Sequence, residues 1–181
     1  MTPALFLDRD GVINVEKNYQ YAIDDFVFID GIFEATKFFQ DLNYKIVVIS
    51  NQAGIARGFY SESDFENLTN WMLNNFAEKG IFISGVYHCP HHPDFTGKCD
   101  CRKPKPGMIF SAAEDHDIDL KHSVLVGDKI SDILAGITAG IPFNVLVESG
   151  HEVSFKDKQR ANLVIDSIAD YRKIVELITY S

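Results

Sequence analysis

Two aspartates, one residue apart, end the first apolar segment of the chain. Asp8 and Asp10 come after residues 5–7, and Gly11 follows them directly. The apolar segment predicts a short buried strand, and the glycine lets the backbone turn away at its end. Two carboxylates this close repel each other unless a cation lies between them or one keeps its proton. The pair therefore favours a magnesium site beside an acid catalyst, with one carboxylate attacking phosphorus and the other handling the leaving group's proton.

Three later residues supply the other groups that such a reaction needs. Ser50 and Asp128 each lie at the end of a further apolar segment, and Lys103 belongs to a basic pair. Phosphoryl transfer to a carboxylate requires a nucleophile, a divalent cation and donors around the phosphate oxygens. We assign Asp8 as the nucleophile and Asp10 as the general acid and base. Asp128 joins Asp8 and Asp10 as a magnesium ligand, and Asp10 contributes either its carboxylate or its backbone carbonyl. Ser50 and Lys103 hold phosphate oxygens.

Each of these positions also has a structural explanation. Aspartate and serine are both common in turns, which would account for the acidic pair and for Ser50. Lys103 would then be a solvated charge, and Asp128 would be the N-cap of the following helix. Asp132 is either an acid behind the magnesium ligands or an ordinary carboxylate on a helix surface. The catalytic interpretation is favoured because all of the required groups occur together.

The cysteines of the chain are clustered in one stretch. All three lie between positions 89 and 101, and this odd number argues for a metal site and against a disulfide framework. With one histidine they form a set at spacings typical of tetrahedral zinc: Cys89, His91, Cys99 and Cys101. The ion would be structural, and the loop at about 88–104 would present the adjoining basic pair, Arg102 and Lys103. His92 is an alternative ligand, and three unpaired thiols in a flexible loop are the alternative to metal binding.

Apolar periodicity predicts the elements that position these groups. The predicted strands are residues 5–7, 45–49, 81–87, 124–126, 143–147 and 163–165, and the predicted helices are residues 32–43, 61–79, 108–114, 131–139 and 167–178. Ser63 and Glu66 predict a capping box for the second helix. This alternation predicts an α/β fold, a Rossmann-like parallel sheet with helices on both faces. The acids and Ser50 then meet at the carboxyl edge of the sheet, and residues 14–28 form a loop that can cover them.

Length and charge limit the classes of protein. We expect residues 1–181 to form a single domain, because 46% of them are hydrophobic and no linker divides them. The net charge of −9 and the pI near 5.0 argue against nucleic acid or an anionic membrane as a partner. No signal peptide or membrane-spanning segment is evident, which predicts a cytoplasmic protein. We also expect the protein to be a monomer. The remaining histidines, at positions 88, 116, 122 and 151, have no evident partners and are predicted to be ordinary surface or core residues.

The motifs resemble those of the haloacid dehalogenase (HAD) superfamily of phosphatases. They are Phe-Leu-Asp-Arg-Asp-Gly, Ser-Asn-Gln-Ala-Gly-Ile-Ala-Arg-Gly, Cys-Pro-His-His-Pro, Cys-Asp-Cys-Arg-Lys-Pro-x-Pro-Gly-Met and Val-Gly-Asp-Lys. Together they resemble, more narrowly, the D,D-heptose 1,7-bisphosphate phosphatase family over nearly the whole chain. Val12 and Ser50 stand where many members have threonine. Ser50 keeps the hydroxyl, so neither difference threatens the mechanism.

This resemblance implies a phosphorylated sugar as substrate and a defined set of contacts. It places Asp8, Asp10, Ser50 and Lys103 in the catalytic roles given above, with catalytic Mg²⁺ and structural Zn²⁺. The substrate-binding residues that it implies are Arg9, Glu16, Lys17, Asn18, Tyr19, Asn51, Gln52, Ala53, Arg102 and Lys129. Arg57 adds to the positive potential of Arg102, Lys103 and Lys129, which fits a sugar carrying two phosphates.

The implied reaction removes the C7 phosphate of D-glycero-D-manno-heptose 1,7-bisphosphate through an aspartyl-phosphate intermediate. The 1-phosphate then serves nucleotide-heptose synthesis. Two alternatives remain open at this point. One is a histidinol-phosphate phosphatase of the same superfamily, and the other is a zinc-stabilised binding module without catalytic activity. No interval between motifs is long enough for a large cap domain, so loops are expected to shape the site.

Overall fold

Six parallel strands form one sheet across residues 1–180, the part of the chain that the computed structural model describes. The strands are β1 (Ala4–Leu7), β2 (Lys45–Asn51), β3 (Ile83–Cys89), β4 (Val124–Gly127), β5 (Phe143–Val147) and β6 (Leu163–Ile165). Their order in the sheet is β3-β2-β1-β4-β5-β6. The chain thus builds outward from β1 to β3, returns to the centre with β4, and builds outward in the other direction. The predicted parallel α/β fold is confirmed.

Helices cover both faces of this sheet. They are α1 (Ile32–Asp41), α2 (Ala53–Ala56), α3 (Glu62–Glu78), α4 (Pro93–Thr96), α5 (Gly107–His116), α6 (Ile130–Ala139), α7 (Phe155–Lys158) and α8 (Tyr171–Thr179). Successive side chains of a strand point to opposite faces, so β1 divides its residues between two cores. Leu5 and Leu7 pack in the core beneath α1, α3 and α8, whereas Ala4 and Phe6 pack in the core beneath α5 and α6. This two-sided burial explains why β1 and β4 are continuously apolar.

The second strand is longer than the sequence predicts. The predicted strand ends at Ile49, but β2 continues through Ser50 and Asn51, and α2 follows. The reason is the neighbouring strand, because Ser50 and Asn51 remain in parallel register with His88 and Cys89 of β3. This pairing brings the cysteine stretch beside the end of β2.

The cap of α3 differs from the predicted one. Ser61, not Ser63, accepts a hydrogen bond from the Asp64 backbone N–H, and the Asp64 carboxylate accepts one from the Ser61 backbone N–H. The helix therefore begins two residues earlier than a Ser63 cap would allow. The predicted closing helix is also divided, because a 3₁₀ turn at Ile168–Asp170 precedes α8.

The connections on either side of β2 are short. A loop and α1 join β1 to β2, and α2 and α3 join β2 to β3. Within residues 1–180, neither connection contains a cap domain, as the motif spacing predicts. None of the helices in this range has both the length and the apolar content that a bilayer crossing demands.

The position of the α3 cap can be tested by substitution. Ser61→Ala removes the hydroxyl oxygen that accepts from the Asp64 backbone N–H and should lower the free energy of unfolding by about 1 kcal/mol. Ser63→Ala is the matched control, because Ser63 is an exposed residue inside the helix, and it should change that free energy by less than about 0.5 kcal/mol. Urea denaturation measures both. If Ser63→Ala lowers the free energy of unfolding more than Ser61→Ala does, the helix cap is at Ser63, as the sequence predicts.

Candidate active site

The carboxyl ends of β1 and β4 meet at the point where the strand order reverses. Asp8 directly follows β1, and its backbone N–H donates to the carbonyl of Val126 in β4 at 3.0 Å. Asp128 directly follows β4. Open parallel sheets form their ligand crevices at such reversal points. The prediction that Asp8 and Asp128 share one edge of the sheet is therefore met by the topology.

A buried lysine connects two acids at this edge. The Nζ atom of Lys103 lies 2.9 Å from Oδ1 of Asp8 and 2.6 Å from Oδ1 of Asp132, and it donates to the carbonyl of Ile49 at 2.9 Å. The Lys103 side chain is only 2% exposed, so it is not a solvated charge. Burial alone would lower the pKa of Lys103, but the carboxylates of Asp132 and Asp8 raise it above its ordinary value. Lys103 therefore stays charged at the floor of the site.

Asp132 is part of this cluster. Its side chain is 1% exposed and accepts a hydrogen bond from the backbone N–H of Lys129 at 2.9 Å. The first alternative from the sequence, an acid behind the magnesium ligands, is therefore the one that fits the structure. The chain turns tightly here, since a Cβ at Gly127 would lie 2.2 Å from Cβ of Asp132.

Asp128 is a buried acid, and one of its carboxylate oxygens has no hydrogen-bond partner within residues 1–180. Its side chain is 0% exposed, and that oxygen is Oδ1. Burial and the nearby carboxylate of Asp8 raise the pKa of Asp128 to about 9. Burial likewise raises the pKa of Asp8 to about 6, although Lys103 opposes the rise. These carboxylates are therefore costly to ionise without a further cation.

The acids fit a hard divalent cation. Single carboxylate oxygens of Asp8, Asp128 and Asp132 lie within 4.8 Å of one another. Oxygen donors of this kind suit Mg²⁺, and the orphaned Oδ1 of Asp128 is the atom that such an ion would satisfy. The Asp10 carboxylate is not in this group, which favours the alternative that its backbone carbonyl is the magnesium ligand.

The Asp10 carboxylate is instead held by neighbouring donors. Oδ1 and Oδ2 each accept from Nη2 of Arg9 at 2.9 Å, and further bonds come from Asn14 Nδ2 and Gln52 Nε2, both at 3.0 Å. Burial opposes ionisation of Asp10, but the Arg9 guanidinium holds its pKa below the ordinary value. Asp10 is therefore ionised in the free protein, and its orientation is fixed.

Two predicted substrate contacts are placed elsewhere. Arg9 is only 1% exposed and is occupied by Asp10 and by the carbonyl of Gln20, so its side chain positions Asp10 and does not line the pocket. Lys17 donates its Nζ to the carbonyl of Asp25 at 2.7 Å on the protein surface. The resemblance transferred both positions by motif alone, which cannot show which way a side chain points.

A pocket of about 360 Å³ opens above the acids. Eight predicted substrate-binding residues line it: Glu16, Asn18, Tyr19, Asn51, Gln52, Ala53, Arg102 and Lys129. Ser50 lines it as well, and its hydroxyl oxygen accepts from Gln52 Nε2 at 2.7 Å. Because that contact uses the oxygen, the hydroxyl proton of Ser50 is free to donate to a ligand.

His151 also lines the pocket, whereas the sequence predicts an ordinary surface or core residue at this position. Its Nδ1 contacts Oδ2 of Asp128, and its Nε2 lies 4.0 Å from Glu16. The signal that was missed is position, because His151 follows β5, whose carboxyl end adjoins that of β4. Gly150 permits the approach, since a Cβ there would lie 2.0 Å from Oδ2 of Asp128.

Three other histidines also have partners, two of them far away in the sequence. His88 contacts Glu62 at 2.8 Å, His122 contacts Asp119 at 2.7 Å, and His116 lies against the ring of Tyr87. The expectation that these residues lack partners is wrong, because most of the contacts join segments far apart in the chain.

The cysteine stretch forms a compact group of four donors. One atom from each of Cys89, His91, Cys99 and Cys101 lies within 4.8 Å of the others. Sγ of Cys89 is 3.6 Å from Sγ of Cys99, and Nδ1 of His91 is 3.3 Å from Sγ of Cys101. All three cysteines are free thiols. Such a set can hold a metal ion, and His91 is the member while His92 turns away to contact Arg57.

Hydrogen bonds fix the two basic residues that follow the cysteine stretch, Arg102 and Lys103. Arg102 donates to the carbonyl of His91 at 3.2 Å. Asn51 exchanges two bonds with the Lys103 backbone, accepting from its N–H at 3.0 Å and donating to its carbonyl at 3.1 Å. The loop therefore fixes where Arg102 and Lys103 stand.

The chain is similar to known proteins in both sequence and fold. A sequence profile described as HAD-hydrolase-like matches residues 100–171. A Photorhabdus laumondii protein named D-glycero-β-D-manno-heptose-1,7-bisphosphate 7-phosphatase is 45% identical over 96% of this chain and 95% of that protein. A Vibrio cholerae protein of the same name is 47% identical over 93% of each chain. The crystal structure of D,D-heptose 1,7-bisphosphate phosphatase from B. bronchiseptica, complexed with magnesium and phosphate, has a TM-score of 0.83 and 28% identity, covering 96% of this chain and 98% of that one.

Removal of the Asp128 charge should reveal the cation site. In magnesium-free buffer, Asp128→Asn should raise the melting temperature by several degrees, because it removes a buried carboxylate that lacks compensation, worth about 1–3 kcal/mol. The same variant should lose the rise in melting temperature that Mg²⁺ gives the original protein. Differential scanning fluorimetry with and without Mg²⁺ measures both effects.

Asp41→Asn is the control, since Asp41 is an exposed acid on α1 that pairs with Lys37. It should keep the full response to Mg²⁺. An Asp128→Asn variant that responds to Mg²⁺ as strongly as the control would contradict the assignment of Asp128 as a ligand.

Proposed function

Because the chain belongs to the D-glycero-β-D-manno-heptose-1,7-bisphosphate 7-phosphatase family of HAD-like hydrolases, we propose that it removes the C7 phosphate of D-glycero-β-D-manno-heptose 1,7-bisphosphate. Sugar 1-phosphate and inorganic phosphate are the products. The observation that carries the proposal is the buried Lys103 between Asp8 and Asp132, beside the undercompensated Asp128. This is a charge arrangement suited to holding a phosphate ester with a divalent cation.

Asp8 is the nucleophile in this proposal. Its Oδ1 accepts from the Arg9 backbone N–H at 2.8 Å and contacts Lys103 at 2.9 Å. With Oδ1 fixed in this way, Oδ2 is the oxygen that attacks phosphorus opposite the leaving oxygen. A bond forms from Asp8 to phosphorus, the ester P–O bond breaks, and an aspartyl phosphate results. Water then attacks the same phosphorus and returns Asp8 to its carboxylate.

Asp10 moves the proton in both half-reactions. The free protein keeps Asp10 ionised through Arg9, and the approach of an anionic phosphate favours its protonated form. Protonated Asp10 gives its proton to the leaving oxygen of the sugar. The resulting carboxylate then takes a proton from the water that attacks the aspartyl phosphate. Arg9, Asn14 and Gln52 position the carboxyl group for these transfers.

The phosphate oxygens meet positive polarity from the end of β2 and from the loop that precedes α5. Ser50 offers its hydroxyl proton. Lys103 is already paired with Asp8 and Asp132 and donates to the carbonyl of Ile49, so its contribution is a fixed positive charge that stabilises the charge developing on the oxygens. Asp8, Asp128 and the backbone carbonyl of Asp10 would hold Mg²⁺, which when bound neutralises phosphate charge and helps to align the ester. The substrate contacts are the eight pocket residues named above.

The remaining assignments complete the proposal. Cys89, His91, Cys99 and Cys101 hold Zn²⁺ as a structural ion, since three thiolates and one imidazole leave no open position. Residues 1–181 act as one catalytic domain and as a monomer. The cytoplasm is the proposed location, because free thiols persist there. The acidic net charge of −9 argues against nucleic acid as a partner.

A substrate panel tests the reaction. With Mg²⁺ present, the protein should release phosphate from the β-heptose 1,7-bisphosphate with a kcat/KM at least about tenfold above that for histidinol phosphate, because only the bisphosphate uses both ends of the pocket. Asp8→Asn should lower kcat by about 10³-fold or more by removing the nucleophile. Phosphate release under steady-state conditions is the measurement, and Asp41→Asn is the matched control.

Two results would contradict this function. A kcat/KM for histidinol phosphate above that for the β-heptose 1,7-bisphosphate would show that the heptose is not the preferred substrate. Phosphate release that is unchanged in Asp8→Asn would rule out the aspartyl-phosphate mechanism.

The structural metal has a separate test. The purified protein should contain about one zinc ion per chain, and Cys99→Ser should lose the zinc and melt at a lower temperature, because metal binding contributes to folding. His92→Ala is the control that keeps the four proposed ligands and should keep the zinc. Elemental analysis gives the metal content, and zinc loss in His92→Ala alone would assign the fourth ligand to His92.

A further inference from the structure

Arg57 lines the pocket but has no role in the reaction as described so far. We propose that Arg57 is a specificity-determining residue that binds, together with Arg102, the phosphate group that the protein does not hydrolyse. This inference rests on the proposed function, because it assumes a substrate with two phosphates. Its basis is the distribution of charge around the pocket.

The cationic residues of the pocket fall into two kinds. Lys103 is paired with Asp8 and Asp132, and Lys129 lies 3.6 Å from Glu16. Within residues 1–180, neither Arg57 nor Arg102 has a carboxylate within ion-pair distance. Two uncompensated guanidinium groups therefore face a single pocket in a protein of net charge −9. Such groups are suited to an anionic ligand.

Both arginines are attached to the same short stretch of the zinc loop. Arg102 donates to the carbonyl of His91 at 3.2 Å, and Nη2 of Arg57 lies 3.0 Å from Nε2 of His92. Since His91 and His92 are consecutive, the two guanidinium groups approach the pocket from one side. Lys103 and Asp8 are 2% and 8% exposed and form the floor, whereas both arginines are only partly buried and lie nearer the mouth.

The Arg57 side chain is held in place and still has unused hydrogen-bonding capacity. Its guanidinium carbon lies 5.9 Å from the ring centre of Tyr19 and 5.4 Å from that of Phe95, so the two aromatic rings restrict its movement. Its Nε is buried and has no hydrogen-bond partner within residues 1–180. A buried donor without an acceptor is costly, and a phosphate oxygen would satisfy it.

Phosphate is the ligand chemistry that fits this arrangement. A guanidinium group presents its N–H donors in a planar fork that matches two phosphate oxygens. Two such groups balance the charge of a phosphate dianion, while the floor of the pocket binds the phosphate that reacts. The pocket thus distinguishes a sugar with two phosphates from the same sugar with one.

Paired substrates test the inference. For the wild-type protein and for Arg57→Ala, kcat/KM is measured with the β-heptose 1,7-bisphosphate and with the heptose 7-phosphate that lacks the second phosphate. Arg57→Ala should lower kcat/KM for the bisphosphate by about 10–100-fold, mainly through KM, because it removes a charged hydrogen-bonding partner. The value for the 7-phosphate should change less than about twofold. Arg57→Lys, which keeps the charge, should recover part of the loss.

Two further measurements separate substrate binding from a structural effect. If both arginines bind one phosphate, the losses of Arg57→Ala and Arg102→Ala on the bisphosphate should not multiply in the double variant. Arg160→Ala, an exposed arginine outside the pocket, should leave both substrates unaffected. Melting temperatures of all variants report whether the zinc loop remains folded.

The outcomes are distinguishable. An Arg57→Ala variant that loses equal activity on both substrates, or none on either, overturns this inference while the proposed function stands. A wild-type protein that turns over neither heptose substrate overturns the proposed function itself. A wild-type protein that uses the 7-phosphate as well as the bisphosphate overturns the inference, because the second phosphate then contributes nothing.

Discussion

The site depends on a buried imbalance of charge at the edge of the sheet. Among the described residues 1–180, Lys103 is the single ammonium group in contact with Asp8 and Asp132, and Asp128 adds a third carboxylate with little compensation. Three carboxylates and one ammonium group leave two negative charges when all are ionised, which is the charge that one magnesium ion balances. The fold sustains this arrangement because β1 and β4 are held side by side by backbone hydrogen bonds. The protein therefore stabilises its own acids only in part, and ligands supply the remainder.

The sheet also couples the catalytic edge to the cysteine stretch. β2 and β3 stay in register through Ser50 with His88 and Asn51 with Cys89. The end of β2 thus carries the Ser50 hydroxyl, and its pairing with β3 sets the position of Cys89, the first of the four clustered donors. Asn51 completes the link by clamping the Lys103 backbone. The loop acts as a support for the phosphate-facing lysine, and this explains how a segment with so little regular structure holds a buried charge in a fixed place.

Much of this arrangement could be predicted from local patterns. Apolar segments that end in Asp8, Ser50 and Asp128 identify strands with polar carboxyl ends, and parallel topology brings those ends together. The cysteine spacing likewise predicts a group of four donors, and the structure brings those four side chains together. What could not be predicted depends on which way side chains point and on contacts across the chain. Arg9 is buried against Asp10, Lys17 lies on the surface, and His151 approaches Asp128 because Gly150 leaves room. The α3 cap was misassigned because Ser61 and Ser63 both precede an acid three residues later.

The short connections around β2 have a kinetic consequence. Among residues 1–180, the connections around β2 place no cap domain over the pocket, so a substrate can reach the acids without the closure of a second domain. A moving lid excludes bulk solvent from an acyl phosphate until it opens, but here solvent is in continuous supply. The covalent intermediate is therefore exposed to hydrolysis from the moment that it forms, which favours release of phosphate to water over its transfer to a second sugar.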